Sequence, residues 1–155
     1  MSKTKPKVRK NTHIPKEPIY LYVSYESKCI NVTEDTLGSD GPYSGFREDD
    51  WDYTLSAVYT RPPVNITADY DYARLRGATK IPDKVWVLYV RYSTGDTFGH
   101  SHGRGAVVNV YATQAQARKD QKLIEEGKYK YSGTWTGYFE QLEGTGIEEL
   151  EVTII

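Results

Sequence analysis

The chain has one cysteine, Cys29, and one methionine, Met1, in 155 residues. A lone thiol forms no internal disulfide and joins no multi-cysteine zinc site, which fits a reducing compartment. Long apolar runs are missing too: the longest covers a few residues, against the roughly 20 that a bilayer-crossing helix needs. No basic–apolar–small pattern opens the chain, so neither a membrane span nor signal-directed secretion is expected. Charge of one sign is also absent. The chain holds 20 Lys plus Arg against 21 Asp plus Glu, a net charge of −1, which argues against a strong mimic of a nucleic-acid backbone. No P-loop, G-x-S-x-G, H-E-x-x-H or dinucleotide-binding glycine pattern occurs. Nothing sets a nucleophile in a recognisable frame, and no enzyme and no cofactor are expected.

Aromatics are present instead. Fourteen Tyr and three Trp compensate for an apolar fraction of 38%, and tyrosine is expected to carry much of the core. The length suits one domain, large enough to stabilise itself by burial alone. Residues 1–17 differ from the rest: Lys3, Lys5, Lys7, Arg9, Lys10 and Lys16 precede the first acid, Glu17, with almost no apolar residue. They read as a flexible basic tail, either a solvated arm or a contact to nucleic acid, ahead of a single domain over 18–155.

Alternation marks the strands. Ile19 to Tyr25 and Trp51 to Thr60 are rich in aromatic and β-branched residues. Between them, Glu26 to Asp50 reads as a long excursion, either a candidate gate or contact surface or a lid in which Tyr43 and Phe46 simply pack down. Val64 to Lys80 fits a short helix or an irregular arm. Val85 to Ser93, apolar on both faces, reads as a central strand. A glycine-rich turn over Ser93 to Gly105 then leads back into a strand from Ala106 to Ala112. Thr113 caps a helix over Gln114 to Glu126, closed by Gly127. Two last strands flank Gly144 to Gly146. The sum is an α+β fold, a mostly antiparallel sheet of five or six strands with one main helix packed on one face.

The segment S-T-G-D-T-F-G-H-S-H-G-R-G, Ser93 to Gly105, concentrates the chemistry. His100 and His102 lie two apart, so on an extended backbone both rings face one side, and Asp96 adds a carboxylate. The H-x-H is similar to the cupin motif, but no glutamate follows at the required spacing, and metal binding is not expected. Anion binding fits better: glycines admit phosphate to backbone N–H groups, while Thr97, His100, Ser101, His102 and Arg104 donate hydrogen bonds and charge. Tyr92 and Trp86 are candidates to stack on a base. Glycine turns also arise for conformational reasons alone, but a bland hairpin needs neither the arginine nor the histidines. Acidic clusters around Asp49 and Asp50 read as solvated faces or, with Tyr43, Phe46 and Trp51, as a surface for a protein partner.

The stretch VWVLYVRYSTGDTFGHSHGRGAVVNVYAT, Val85 to Thr113, followed by a short charged helix, resembles small accessory proteins of bacteriophages. The resemblance implies the cytoplasm of an infected bacterium and a role against host defence. Three functions follow as expectations. The first is a counter-defence protein that sequesters an anionic, nucleotide-like ligand without catalysis. The second is an inhibitor of a host defence protein, in the manner of an anti-CRISPR. The third is a nucleic-acid binder using the tail and exposed tyrosines. A terminal strand with Val152, Ile154 and Ile155 would also suit a homo-oligomer.

Overall fold

The computed structural model describes residues 18–36, 44–64, 68–96, 99–131, 139 and 141–155. The tail, Tyr43 and Thr97 lie outside them. Strand β1 covers Tyr20–Thr36 and β2 covers Ser44–Tyr59. At the start of β1 the alternation is direct, with Leu21 and Val23 fully buried and Tyr20 exposed. The two strands pair antiparallel from Tyr22↔Tyr59 out to Thr36↔Ser44, with register shifts at Ser24/Tyr25, Cys29/Asn31 and Asp35/Thr36. The expected excursion over Glu26 to Asp50 is therefore corrected to a long hairpin arm. Its residues are largely polar and exposed, so no apolar period announces the ladder, and the turn formers are concentrated in residues 37–43.

Strand β3, Asp69–Arg76, replaces the helix or irregular arm expected there and pairs antiparallel with β1 from Tyr20↔Arg74 to Tyr25↔Asp69. Ala73 and Leu75 are buried while Tyr70, Tyr72 and Arg74 are exposed. The period of two was present, but Asp69 and Asp71 occupy the inward positions at its start and hid it. Strands β4, Lys84–Asp96, and β5, Gly99–Tyr111, form the next antiparallel hairpin. Ser93 to Gly105 is accordingly not a turn, since the ladder continues to Asp96↔Gly99.

Helix α1 runs Gln114–Glu125, with the Thr113 side chain accepting from Gln116 N and Gly127 at φ 72° just beyond its end. β6, Gln141–Thr153, pairs antiparallel with β4 from Lys84↔Glu151 to Ser93↔Gln141. Gly144 to Gly146 lies inside this strand rather than between two. Most of the strand expected over Tyr131 to Leu142 falls outside the described residues.

The expected open sheet with a helix on one face is overturned by closure. β3 also pairs parallel with β5 at Leu75↔Val110 and Arg76↔Tyr111, and β2 pairs parallel with β6 at Val58↔Val152 and Tyr59↔Thr153. The strands thus run β1-β2-β6-β4-β5-β3 around a closed barrel. The described residues are mostly β, with one short helix. A helix of 12 residues that buries only Ala117 and Ile124 cannot cover a six-stranded sheet, and closure lets the sheet cover its own inner face. The interior is Leu21, Val23, Tyr53, Leu55, Val58, Ala73, Leu75, Val85, Val87, Val107 and Val110. A second cluster outside the barrel joins Leu88, Val90, Ala106, Val108 and Tyr111 to α1. Valine and leucine dominate the interior, while the second cluster mixes them with alanine, isoleucine and Tyr111. Tyr53 and Tyr111 are buried, but Tyr20, Tyr70 and Tyr72 remain more than 40% exposed, so tyrosine does not carry the core. Among the described residues no helix is long and apolar enough to cross a membrane.

Candidate functional site

Where β2 and β5 meet, two segments that are separate in sequence become one locus. Arg47 to Asp50 pairs parallel with Gly99 to His102, residue for residue. The junction is tight. A Cβ at Gly99 would stand 2.5 Å from Arg47 O, and Gly103 adopts φ 74° against the Trp51 backbone. A Cβ at Gly105 would lie 2.2 Å from ring carbons of Tyr53. These glycines admit β2 and its aromatic rings.

The histidines lie on one side, as their spacing implies, with ring centroids 6.4 Å apart and planes at 28°. His102 Nδ1 is 3.1 Å from Glu143 Oε2 on β6, and Nε2 is 3.5 Å from Glu48 Oε1 on β2. The other oxygen of Glu143 accepts from Gly103 N at 2.7 Å. A carboxylate of the chain itself thus takes the backbone N–H that the sequence offered to a phosphate. The hydrogen bond to Glu143, reinforced by Glu48, raises the His102 pKa above its ordinary value against the opposing effect of burial. Arg47 Nε pairs with Asp49 Oδ1 at 2.8 Å. Arg104 instead stacks its guanidinium over the Trp51 ring, 4.5 Å from the centroid, and has no carboxylate partner among the described residues.

Next to this pair stands a row of tyrosines. Tyr25 and Tyr53 have ring centroids 5.1 Å apart, and Tyr53 and Tyr89 6.1 Å. Trp51 and Tyr53 share a face of β2. Both the Trp51 Nε1 and the Tyr53 hydroxyl are buried without a hydrogen-bond partner among the described residues. Burial, then the charge of Asp71, drives the Tyr53 hydroxyl pKa far up and raises that of Tyr25 to about 12. Asp71 is itself raised by burial and by Asp69. Tyr25 also lines a cleft of about 350 Å³ with Glu26, Ser27, Lys28, Ala68 and Asp69.

The structure gathers His100, Ser101, His102 and Arg104 with Asp49, Asp50 and Trp51, merging what the sequence held as alternative sites. Tyr92 joins from β4, opposite Arg104 in the ladder. Trp86 does not: it pairs with Tyr111 six positions away along β4, roughly 20 Å at about 3.3 Å per residue, and packs in the cluster under α1. Asp96 and Phe46 pair within the ladders at Gly99 and Asp35, away from the Arg104–Trp51 contact. Cys29 is exposed, with Sγ 3.5 Å from Asn31 O. Tyr25, Tyr53, Asp71 and Glu143 were missed as site residues. The W-D-Y alternation at 51–53 placed Trp51 and Tyr53 on one face, but no local signal tied them to Asp71 or Glu143. Among the described residues no group of three or more His, Cys, Asp or Glu is arranged to hold a metal ion. No family model, curated protein or solved structure matches the chain.

Proposed function

We propose that the protein is a non-catalytic binding protein that captures a small anionic ligand, nucleotide-like in its oxygen acceptors, at the β2–β5 junction. The observation that carries this is the pair of buried donors, Trp51 Nε1–H and Tyr53 O–H, beside Arg104, with no acceptor among the described residues. A buried donor left unmade costs about 1–3 kcal/mol, so a fold that keeps two together suits acceptors from outside the chain. Arg104 supplies the charge, and its stacking on Trp51 holds the guanidinium plane in place. Tyrosine hydroxyls held protonated well above neutral pH favour hydrogen bonding over proton transfer. The resemblance of Val85 to Thr113 to phage accessory proteins supports a setting in an infected bacterium, where removing a nucleotide-like signal would blunt a host defence.

Calorimetric titration with nucleoside mono- and polyphosphates, beside native mass spectrometry of gently purified protein, tests this. Binding should fall at least tenfold in Arg104→Ala and in Tyr53→Phe. Tyr53→Phe should unfold at the same or a higher urea concentration, because the hydroxyl it removes has no partner. Affinity unchanged by both substitutions would sink the proposal. A second reading, inhibition of a host defence protein, draws on the hairpin arm, where Ile30 and Val32 are 66% and 46% exposed. It predicts that Arg104→Ala is harmless and that Ile30→Ser abolishes inhibition of the target.

A further inference from the structure

The β3–β5 seam of the barrel ends in a cleft remote from the β2–β5 junction. Arg76 pairs with Tyr111 there, and Arg76 O accepts from Ala112 N at 2.9 Å. Tyr111 stands nine residues beyond His102 on β5, about 30 Å along the strand at about 3.3 Å per residue. Helix α1 supplies the other wall, and Arg76, Gly77, Tyr111, Gln116, Lys119 and Asp120 line a space of about 320 Å³. That volume suits a small molecule. Gly77 adopts φ 86°, and a Cβ there would stand 2.1 Å from Gln116 Oε1, so glycine is what lets the Gln116 amide lie over the end of β3.

The charges that line this cleft do not neutralise one another. Arg76 Nε is buried with no hydrogen-bond partner among the described residues. Neither Arg76 nor Lys119 forms an ion pair among the described residues, although Asp120 lines the same cleft. Asp120 is held instead by the Tyr111 hydroxyl, which donates to its Oδ2. Burial, then this hydrogen bond, raises the Tyr111 pKa far above its ordinary value, so the hydroxyl remains a donor and keeps the carboxylate in place.

We infer that this cleft binds an acidic α-amino acid, a small ligand with two carboxylates and one ammonium. Two cations and one carboxylate line the cleft, and the ligand carries the inverse set. The Arg76 guanidinium presents Nε–H and a terminal N–H as a fork to one carboxylate, Lys119 attracts the other, and Asp120 accepts from the ammonium. Phosphate would satisfy the cations but set its charge against Asp120. A dicarboxylate without an ammonium meets the same repulsion, and a neutral amino acid leaves Lys119 unused.

Calorimetric titration of the full chain with L-glutamate, L-aspartate, L-glutamine, glutarate and inorganic phosphate tests this. Glutamate or aspartate should bind at least tenfold tighter than each of the other three. Arg76→Gln should weaken that binding at least tenfold. Lys119→Gln should bring glutamate down to the affinity of glutamine, and Asp120→Asn should bring it down to that of glutarate. Phosphate or glutarate bound as tightly as the acidic amino acids, no saturation by either amino acid at millimolar concentration, or unchanged affinity in Lys119→Gln would overturn the inference. Lys119 is exposed, so its variant decides the matter should Arg76→Gln fail to fold by circular dichroism. Arg104 and Trp51 lie outside this cleft, so amino-acid binding and capture at the junction fail or succeed separately.

Discussion

The hydrogen on the Gly105 Cα is what lets the Tyr53 ring lie against β5. Gly105→Ala forces a methyl to within 2.2 Å of that ring and should cost about 1–3 kcal/mol, read as a lower urea midpoint. His102 carries a pH dependence of known sign. Its native pKa is raised above the ordinary 6.5 by Glu143 and Glu48, so the proton binds more tightly in the folded chain. That stabilisation is complete below pH 6.5 and is lost as pH rises through the native value, so the urea midpoint should fall across this window. The side chain is 41% exposed, which keeps the effect modest through solvent screening. Glu143→Gln should flatten the profile, and an identical profile in that variant would remove Glu143 as its cause. At this scale the common orientation of His100 and His102 was legible from a spacing of two. The carboxylates that hold His102 were not, because Glu48 and Glu143 come from distant strands.

Elements show the same division by the range of the forces that make them. Helix α1 was legible because its cap and its terminal glycine act within one turn. Thr113→Ala removes the acceptor for Gln116 N and should cost about 1 kcal/mol in the same urea assay. Strands with a buried face were legible as well, through Leu21 and Val23 or Val85 and Val87. The outer half of the β1–β2 hairpin was not, since Lys28 to Glu34 of β1 are exposed and need no apolar alternation. β3 was missed for a related reason: its inward positions open on Asp69 and Asp71, and the apolar residues that reveal a strand arrive only at Ala73 and Leu75. The Ser93 to Gly105 segment was misjudged in the other direction. Its glycines suggested a turn, but they serve close packing of strand against strand.

For the whole molecule, closure is the decisive step. Two short parallel contacts, β2–β6 and β3–β5, convert antiparallel hairpins into a barrel, and β2–β5 adds a pairing beside that ring. The seam also employs the chain end, where Thr60 N donates to Thr153 O and Ile155 N donates to the Thr60 hydroxyl. Part of the strand edge expected to pair with a second copy is thus used within the chain, while Ile154 and Ile155 stay exposed. Because these contacts join segments remote in sequence, refolding should be slow for the size, in the millisecond to second range by stopped-flow fluorescence. A sub-millisecond phase carrying the whole amplitude would contradict it. By itself the sequence determined the strand content around Val23, Tyr53 and Val87, the capped helix, and the density of donors from His100 to Arg104, since each depends on near neighbours. Only the tertiary structure decided that the sheet closes, that Arg104 rests on Trp51, and that Glu143 takes the Gly103 N–H. Those partners are chosen by which strands share a buried interior, and neighbours along the chain carry no information about that choice.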